Sequence, residues 1–139
     1  MSYRVVHQLS SSQVDDLVAL YANEFWCNRR TRDDVLRMLR HTDLLVGVVD
    51  DSNRLVGFCR VLTDFVYRAT LYDVIVHPAR RGEGLGRLVL DAMMSHPRLR
   101  GVESTDLNCR PEMRAFYERW GFSGELKDTI RMRRRHDGK

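Results

Sequence analysis

Three glycines stand at alternate positions in DVIVHPARRGEGLGRLVLDAMM, residues 73–94, between an apolar β-branched run and a helical pattern. Inside a regular element, glycine costs roughly 0.5–1 kcal/mol relative to alanine. A cluster just before a helix therefore indicates an unusual backbone shape or the close approach of a ligand. A strand, this glycine turn (residues 80–87) and a helix in succession predict a domain in which helices pack against a sheet.

The spacing of the glycines excludes two common phosphate-binding loops. A dinucleotide-binding fingerprint requires G-x-G-x-x-G, but these glycines alternate and position 87 is Arg. A Walker loop requires Lys-Ser or Lys-Thr after its last glycine, and neither follows here. The turn still opens onto a helix N-terminus, where free N–H groups and the helix dipole favour an anion such as a pyrophosphate. Arg80, Arg81 and Arg87 add cationic donors, with a plain strand-to-helix turn as the alternative.

The remaining segments predict a single mixed α/β domain over residues 1–139. Two apolar runs, LLVGVVD and RLVGFCRVL, flank the polar DSN and predict an antiparallel hairpin. Further strands are predicted at YRVVHQ, TLYDVIV, GVESTDLNC and KDTIRMRR, the last of which runs into a basic C-terminal end at 131–139. Helices are predicted at SSQVDDLVALYAN, at TRDDVLRMLRH, after the glycines and from Pro111 to Gly121.

The net charge of +4 is located in the last nine residues, RMRRRHDGK, which hold five basic residues and one acidic residue. The rest of the chain carries 18 basic and 18 acidic residues, so the sequence predicts no nucleic-acid-binding face. The basic end is interpreted as solvated chain, with a tether to RNA or to a membrane surface as the alternative. No run approaches the roughly 20 apolar residues of a membrane span, and the first residues lack the apolar region of a signal peptide. A cytoplasmic protein with no membrane partner is expected.

Cysteine spacing argues against a disulfide framework and against a zinc site. Cys27, Cys59 and Cys109 are odd in number and widely separated, with no C-x-x-C pair. We expect reduced cysteines that pack as small apolar side chains, and no bound metal.

Two segments in the expected order resemble one enzyme superfamily. VIVHPARRGEGLGRLVLDAM resembles the acyl-CoA pyrophosphate loop of the GNAT (GCN5-related) N-acetyltransferases, with its R-x-x-G-x-G core at Arg81, Gly84 and Gly86. Downstream, MRAFYERWGF resembles the second signature of the superfamily, with Tyr117 at the tyrosine position. The resemblance implies a central, mostly antiparallel mixed sheet of about six to seven strands, flanked by about four helices, with a splayed strand pair that holds acyl-CoA.

The resemblance also implies the activity and the ligands. It implies an acyl-CoA-dependent N-acetyltransferase, in which acetyl-CoA is the co-substrate and a primary amine is the acceptor in a ternary complex. Many members carry Asn seven residues before the tyrosine, a position that is Arg110 here, and Asn108 lies nearby but out of register. The acyl-CoA contacts that the resemblance implies are Val74, Ile75, Val76, Arg80, Arg81, Gly82, Glu83, Gly84, Leu85, Gly86, Arg87, Asn108, Arg110, Phe116 and Tyr117.

Acetyl transfer to an amine needs a base for the amine, a polarised carbonyl and a proton for the departing thiolate. Asp73, just before the VIV run, is the leading candidate for the base, and Asp64 and Glu24 are further candidates. The alternative for Asp73 is a carboxylate that fixes a neighbouring arginine. The resemblance implies Tyr117 as hydrogen-bond donor to the thiolate and backbone N–H groups of residues 74–76 as donors to the carbonyl.

The acceptor is expected to contact the segment between the first two helices, the loop before TLYDVIV and Asp73. Phe25, Trp26 and Tyr67 are the candidates for an apolar slot. Arg29 and Arg30 would attract a carboxylate, or else are solvated surface arginines. A small amine is favoured over a protein N-terminus or lysine. A catalytically silent acyl-CoA-binding module and an RNA-associated module are the rival classes, and a homodimer is left open.

Overall fold

The hairpin predicted around the DSN loop lies near the centre of the sheet in the computed structural model, which describes residues 2–136. Five strands form one sheet in sequence order: β1 (Arg4–Val6), β2 (Leu44–Val49), β3 (Leu55–Thr63), β4 (Arg68–Val76) and β5 (Ser104–Leu107). The helices are α1 (Ser11–Ala22), α2 (Arg32–Arg40), α3 (Leu85–Met94) and α4 (Arg114–Glu118), with 3₁₀ turns at Pro78–Arg80 and Pro111–Met113. The predicted mixed α/β class is confirmed.

Local signals in the sequence account for the first two helices. The Ser10 hydroxyl accepts from the Gln13 N–H at 3.2 Å, and the Gln13 side chain accepts from the Ser10 N–H at 2.9 Å, which forms a complete capping box for α1. The Thr31 hydroxyl accepts from the Asp34 N–H at 3.2 Å and caps α2. Residues 23–31, which we call the α1–α2 segment, connect the two helices.

Helices pack on both faces of the sheet. The main core on one face joins α1 and α2 to strand residues such as Phe58 and Ile75. An added Cβ at Gly57, one residue before Phe58, would meet Val89 of α3 at 3.1 Å. Because successive strand residues point to opposite faces, α3 lies on the other side of the sheet from α1.

All neighbouring strands are antiparallel except β4 and β5, which are parallel. The parallel pairing runs from Arg68 opposite Ser104 to Leu71 opposite Leu107. β4 then continues to Val76 with no strand neighbour on that side among the described residues. The predicted mostly antiparallel sheet is therefore present, and β4 extends beyond its pairing with β5, where the splayed strand pair was predicted.

A division after Asn108 separates two compact units. The second unit contains the 3₁₀ turn, α4 and an aromatic cluster in which the Phe116 ring lies 5.0 Å from Tyr117 and 4.9 Å from Trp120, centroid to centroid. The predicted helix from Pro111 to Gly121 is thus a 3₁₀ turn followed by a short α-helix, and Gly121 adopts φ +86° beyond its end. The single-domain organisation of residues 1–139 stays a prediction.

The final strand predicted at KDTIRMRR does not form in the part of the chain that the structure describes. No strand follows β5 up to residue 136, so the sheet has five strands, fewer than the six to seven expected. Ile130 and Met132 are each 85% exposed. Alternation of apolar and basic residues is a local signal, whereas a strand also requires a neighbouring backbone. Of the basic end at 131–139, residues 137–139 lie outside the described residues.

Among the described residues, none of the helices is both long enough and apolar enough to cross a bilayer.

Candidate functional site

The glycine turn has the backbone shape that its composition predicts. Gly82 and Gly84 adopt φ +84° and +80°, a region in which a side chain is strained. Gly84 is the N-cap of α3 and has no side-chain acceptor, so the first-turn N–H groups receive no cap hydrogen bond. An added Cβ at either glycine would meet no described atom within 4 Å. The turn combines open space with N–H donors, which fits an anionic ligand such as a pyrophosphate.

Arg80 braces the glycine turn against the sheet. Its guanidinium donates to Asp50 Oδ2 at 3.0 Å and to the Tyr3 hydroxyl at 3.2 Å, and the Arg80 side chain is only 21% exposed. The Tyr3 hydroxyl in turn donates to Glu83 Oε1 at 2.7 Å. The contacts of Arg80 and Glu83 thus hold the turn in shape.

The other two arginines of the turn have different surroundings. Arg81 donates to Glu24 Oε1, in the α1–α2 segment, at 3.0 Å. Arg87 is exposed in the first turn of α3 and forms no hydrogen bond or ion pair with residues 2–136. Leu85 is 2% exposed, so its side chain is not available to a ligand. Arg87 is therefore the cation of the turn that is ready to receive an anion, whereas Arg81 would first leave Glu24.

The open side of β4 begins next to a bulge. Phe58 of β3 faces Ile75, while Arg60 faces Tyr72, so β4 contains one extra residue between these pairs. Asp73 lies in this bulge with φ +57°, a conformation that Asp adopts more readily than most residues. Beyond it, Ile75 points into the core at 3% exposure, and the flanking Val74 and Val76 are half-buried.

Asp73 is the centre of a buried group that we call the Asp73 cluster: Tyr21, Arg30, Arg60 and Asp73. Its Oδ2 atom accepts from the Tyr21 hydroxyl at 2.8 Å, from Arg30 Nη1 at 2.8 Å and from Arg60 Nε at 2.7 Å. The Asp73 side chain is 4% exposed, against 31% for Arg30 and 12% for Arg60. One carboxylate therefore links α1, the α1–α2 segment, β3 and β4.

Two opposing effects set the pKa of Asp73. Burial by itself raises the pKa, but the hydrogen bond from Arg30 and the charge and hydrogen bond of Arg60 outweigh it, so the pKa lies below its ordinary value. Burial also raises the pKa of Tyr21, whose hydroxyl stays protonated as a donor. A carboxylate held ionised by two arginines has little tendency to take a proton. The geometry thus favours the second interpretation of Asp73, a carboxylate that fixes neighbouring arginines.

The predicted acceptor residues fall into two places. The Arg30 guanidinium carbon lies 4.5 Å from the Tyr21 ring centroid and 5.8 Å from that of Trp26, so interpreting Arg30 as a solvated surface arginine is wrong. Trp26 and its neighbour Phe25 are 45% and 67% exposed beside this group. Tyr67 precedes β4, six residues before Asp73, which corresponds to about 20 Å along a strand. The structure therefore groups Trp26 with the Asp73 cluster and places Tyr67 at the far end of β4.

Asp64, a second candidate for the base, organises the hairpin loop between β3 and β4. Its Oδ1 atom accepts from the backbone N–H groups of Val66 at 2.8 Å, Tyr67 at 2.7 Å and Arg68 at 3.1 Å. These hydrogen bonds lower the pKa of Asp64. The carboxylate has a structural role in the loop, at the end of β4 opposite to the glycine turn.

The remaining predicted acyl-CoA contacts lie at the end of the first unit and in the second. Asn108 is the last residue of the first unit. Arg110 is paired with Glu112 at 3.8 Å, with both side chains exposed. Tyr117 is 8% exposed and its ring makes edge contacts with Phe116 and Phe122. The roles of Asn108, Arg110, Phe116 and Tyr117 toward acyl-CoA stay predictions.

The cysteines differ in exposure. Cys27 and Cys59 are buried and Cys109 is exposed, and all three are free thiols. Burial raises the pKa of Cys27 to about 11 and raises that of Cys59 as well. Among residues 2–136, no group of three or more His, Cys, Asp or Glu side chains is arranged to hold a metal ion.

Sequence reasoning missed two members of the Asp73 cluster, Tyr21 and Arg60. Tyr21 looked like an apolar member of the buried face of α1, and its ring does lie in the core, but its hydroxyl is bonded to Asp73. Arg60 interrupts an otherwise apolar strand, LVGFCRVLT. A lone arginine in a buried strand implies a buried acidic partner, and this signal could have pointed to Asp73.

Comparison with known proteins agrees with this arrangement. The family model of the acetyltransferase (GNAT) domain matches residues 42–124, from the start of the hairpin through the aromatic helix. The uncharacterised N-acetyltransferase ycf52 of Porphyra purpurea is 31% identical over 113 residues, 76% of this chain and 65% of that protein. The chloroplastic serotonin N-acetyltransferase 2 of Oryza sativa subsp. japonica is 32% identical over 106 residues, 74% of this chain and 52% of that protein.

A solved structure extends the similarity to nearly the whole chain. A protein of Xanthomonas campestris pv. campestris assigned to the GNAT family superimposes with a TM-score of 0.80 and 31% identity, covering 97% of this chain and 95% of that one. The glycine turn, the stretch of β4 beyond its pairing with β5 and these matches define an acetyltransferase domain. The chain belongs to the GNAT family, which confirms the resemblance seen in the sequence. It spans just under two thirds of the Porphyra protein and about half of the rice protein.

Proposed function

We propose that this chain is an N-acetyltransferase that moves the acetyl group of acetyl-CoA to a small primary amine by direct attack in a ternary complex. The observation that carries the proposal is the glycine turn: two glycines in the left-handed region at an uncapped helix start, with open space where side chains would be. A ligand that brings its own acceptors can satisfy these donors, which otherwise bond to water.

Different residues of the glycine turn would have different roles in the binding of acetyl-CoA. The N–H groups that follow Gly84, together with the side chains of Arg81 and Arg87, would hold the pyrophosphate. Arg80 and Glu83 would keep the turn in shape through their contacts with Asp50 and Tyr3. The backbone at 74–76, on the open side of β4, would hold the pantetheine arm and the acyl oxygen. When bound, acetyl-CoA supplies an activated acyl group.

The amine must reach the acyl carbon in its neutral form. With a pKa near 10.4, an alkyl amine is less than about 0.1% neutral at pH 7, a cost of roughly 4–5 kcal/mol. The neutral nitrogen forms the C–N bond as the C–S bond breaks, the ammonium proton passes to water or to a carboxylate, and the leaving sulfur takes up a proton. We propose Tyr117 as the hydrogen-bond donor to that sulfur, because removing negative charge from the leaving group lowers the barrier.

The acceptor side is proposed at the α1–α2 segment. Trp26 and Phe25 expose apolar surface beside Arg30, and an apolar surface next to fixed polar groups suits a small amine with an apolar body. The rice relative is named for serotonin, an arylalkylamine, which is consistent with an aromatic lining. Tyr67 would contact only an acceptor long enough to follow β4 to its start.

The test is a panel of amines incubated with acetyl-CoA, with free thiol release followed by absorbance and the acetylated product identified by mass. Small aromatic amines, aliphatic amines, amino sugars and peptides with free N-termini or lysines make up the panel. We expect acetylation of at least one small amine. Transfer to peptides alone would favour a protein acetyltransferase, and CoA binding without any transfer would favour a catalytically silent acyl-CoA-binding module.

Location in the cell is a separate proposal. We propose a cytoplasmic protein, and we note that the rice relative is described as chloroplastic. Fractionation of the source cells with an antibody against the protein tests this, and recovery in a membrane or organelle fraction would contradict it.

A further inference from the structure

We infer that Asp73 is a positioning residue for acetyl transfer: its buried carboxylate locks the bulge of β4 to the α1–α2 segment and thereby sets the acceptor side against the open edge of β4. The inference rests on the proposed function, since it gives a role to a residue of that same site. It differs from the sequence-based expectation, which made Asp73 the leading base.

This lock, by which we mean the hydrogen bonds that the Asp73 carboxylate accepts within the Asp73 cluster, involves a single oxygen atom. Tyr21, Arg30 and Arg60 all donate to Asp73 Oδ2 at 2.7–2.8 Å, and they come from α1, the α1–α2 segment and β3. Arg30 is the only member from the α1–α2 segment, and its guanidinium also lies 5.8 Å from the ring of Trp26. Movement of Asp73 would therefore displace Arg30 and, with it, the aromatic surface proposed for the acceptor.

The same carboxylate stabilises the bulge. At φ +57°, Asp73 has a backbone conformation that persists when surrounding contacts hold it in place. Those contacts are the ion pairs with Arg30 and Arg60. The bulge precedes residues 74–76, whose backbone lies on the side of β4 that has no strand partner among the described residues. The position of these N–H groups thus depends on the Asp73 cluster.

Proton transfer fits Asp73 less well than positioning. Three donors already occupy Oδ2, so an amine would have to displace Tyr21 or an arginine to reach that atom. An approach to Oδ1 is limited because the whole side chain is only 4% exposed. The arginines also hold the pKa of Asp73 below its usual value, which weakens it as a base.

The charges around Asp73 stay constant over the pH range of the assay, in which the neutral fraction of an acceptor amine rises with pH. The ionisable groups that face it are Arg30, Arg60 and Tyr21, with Cys27 and Cys59 further away. Burial raises the pKa of Tyr21, Cys27 and Cys59, and the two arginines keep their charge. An ordinary cysteine would titrate between about pH 6 and 9.5, but burial raises the pKa of Cys27 to about 11 and also raises that of Cys59, so the same contacts are present throughout this range.

The first experiment is the pH profile of Asp73→Asn on the best acceptor amine. Asn keeps the volume and tolerates positive φ, so the variant removes mainly the charge. We expect kcat/KM for the amine to fall by about 10–100-fold, by the same factor at every pH. Acetyl-CoA affinity should fall by a smaller factor, because the glycine turn still holds the pyrophosphate while the N–H groups at 74–76 shift. A general base would give a different result: the loss would shrink as rising pH makes the amine neutral without help, and that outcome would overturn the inference.

The second experiment replaces Arg30, the partner of Asp73 in the α1–α2 segment. Arg30→Met should lower kcat/KM by about the same factor as Asp73→Asn, and the double variant should lie within about threefold of either single variant, because both break one interaction. A double variant whose loss is the product of the two single losses would contradict the lock. Arg30→Met also carries the test if Asp73→Asn does not fold.

Asp16→Asn is the matched control. Asp16 is 10% exposed, is ion-paired with Arg54 at 2.8 Å and accepts from the Leu55 N–H at 3.0 Å, away from the Asp73 cluster. It should lose stability while kcat/KM stays within about threefold of the wild type. An equal loss in Asp16→Asn would mean that destabilisation alone explains the Asp73 result.

Limited trypsin digestion provides a measurement that needs no activity. Cleavage after Arg29 or Arg30 should be at least about tenfold faster in Asp73→Asn than in the wild type, because the bond from Arg30 to Asp73 holds the α1–α2 segment against β4. Cleavage should be unchanged in Asp16→Asn. Unchanged cleavage would overturn the inference. A wild type that transfers acetyl to no amine would overturn the proposed function, while the digestion still reports on the lock.

Discussion

Arg81 of the glycine turn forms an ion pair with Glu24 of the α1–α2 segment, with 3.0 Å between Nη2 and Oε1. Arg81, which we assign to the pyrophosphate, is therefore already paired with a residue of the segment that we propose contacts the acceptor. We propose that a bound anion competes with Glu24 for the Arg81 guanidinium. Such competition would link the two substrates of the proposed reaction through these two residues.

Replacing Glu24 by Gln should tighten acetyl-CoA binding. Exposed ion pairs contribute about 0–1 kcal/mol, so releasing Arg81 should raise the affinity by up to about fivefold. Isothermal titration calorimetry with CoA measures it. Glu103→Gln is the control, because it removes the same charge from a longer and more exposed pairing, with Arg68 at 4.0 Å, in the loop before β5. Weaker or unchanged binding in Glu24→Gln would contradict the competition.

Replacing Gly84 by Val should weaken CoA binding by at least about tenfold, because the side chain would force the turn out of its left-handed shape and occupy the approach of the phosphate. Calorimetry gives the affinity, and circular dichroism checks the fold. Gly101→Val is the matched control: Gly101 also has open space around its Cβ position but has no positive φ. Equal affinities in the wild type and Gly84→Val would remove the glycine turn from the binding site.

Replacing Tyr117 by Phe should separate binding from catalysis. The ring contacts with Phe116 and Phe122 do not need the hydroxyl, so the fold and acetyl-CoA affinity should be nearly unchanged. If the hydroxyl donates to the leaving sulfur as charge develops, kcat should fall by about 10²–10⁴-fold. Initial rates on the best acceptor measure it. Rates equal to those of the wild type would exclude Tyr117 from the mechanism.

The Asp73 cluster should make stability depend on pH in the acid range. The folded-state pKa of Asp73 is lowered, so its contribution is fully present above the unfolded-state value near 3.8 and is lost as the pH falls through the lower folded value. Asp73→Asn should be less stable than the wild type by about 3–5 kcal/mol at pH 7. Urea unfolding at pH 7, 5 and 3 should show this difference constant down to pH 5 and smaller at pH 3. A difference that is the same at all three values would show that the charge of Asp73 is not what stabilises the cluster.

The features predicted well from the sequence are those that local chemistry decides. Ser10 and Thr31 cap helices because their hydroxyls reach backbone N–H groups only three residues away. The hairpin follows from two apolar runs around a short polar loop. Gly82 and Gly84 adopt positive φ, a backbone conformation that glycine reaches at lower cost than residues with a side chain. Each of these predictions needs information from only a few neighbouring residues.

The features that were missed depend on residues far apart in the chain. Arg30 and Arg60 are 43 and 13 residues away from Asp73, and only the packed sheet brings the three side chains together. The bond from Arg80 to Asp50, 30 residues earlier, was missed for the same reason, and a contact of Arg80 with the phosphate stays a prediction. The predicted last strand fails for a similar reason, since its alternation gave no information about a pairing partner.

The central claim, direct acetyl transfer from acetyl-CoA to an amine, is tested most directly by initial rates measured while both substrates are varied. Because Cys27 and Cys59 are buried thiols with raised pKa, we expect no acetyl-enzyme on either of them. The account predicts double-reciprocal lines that intersect, with acetylated amine and free CoA formed in equal amounts. Parallel lines, or free CoA released without acetylated amine, would contradict it.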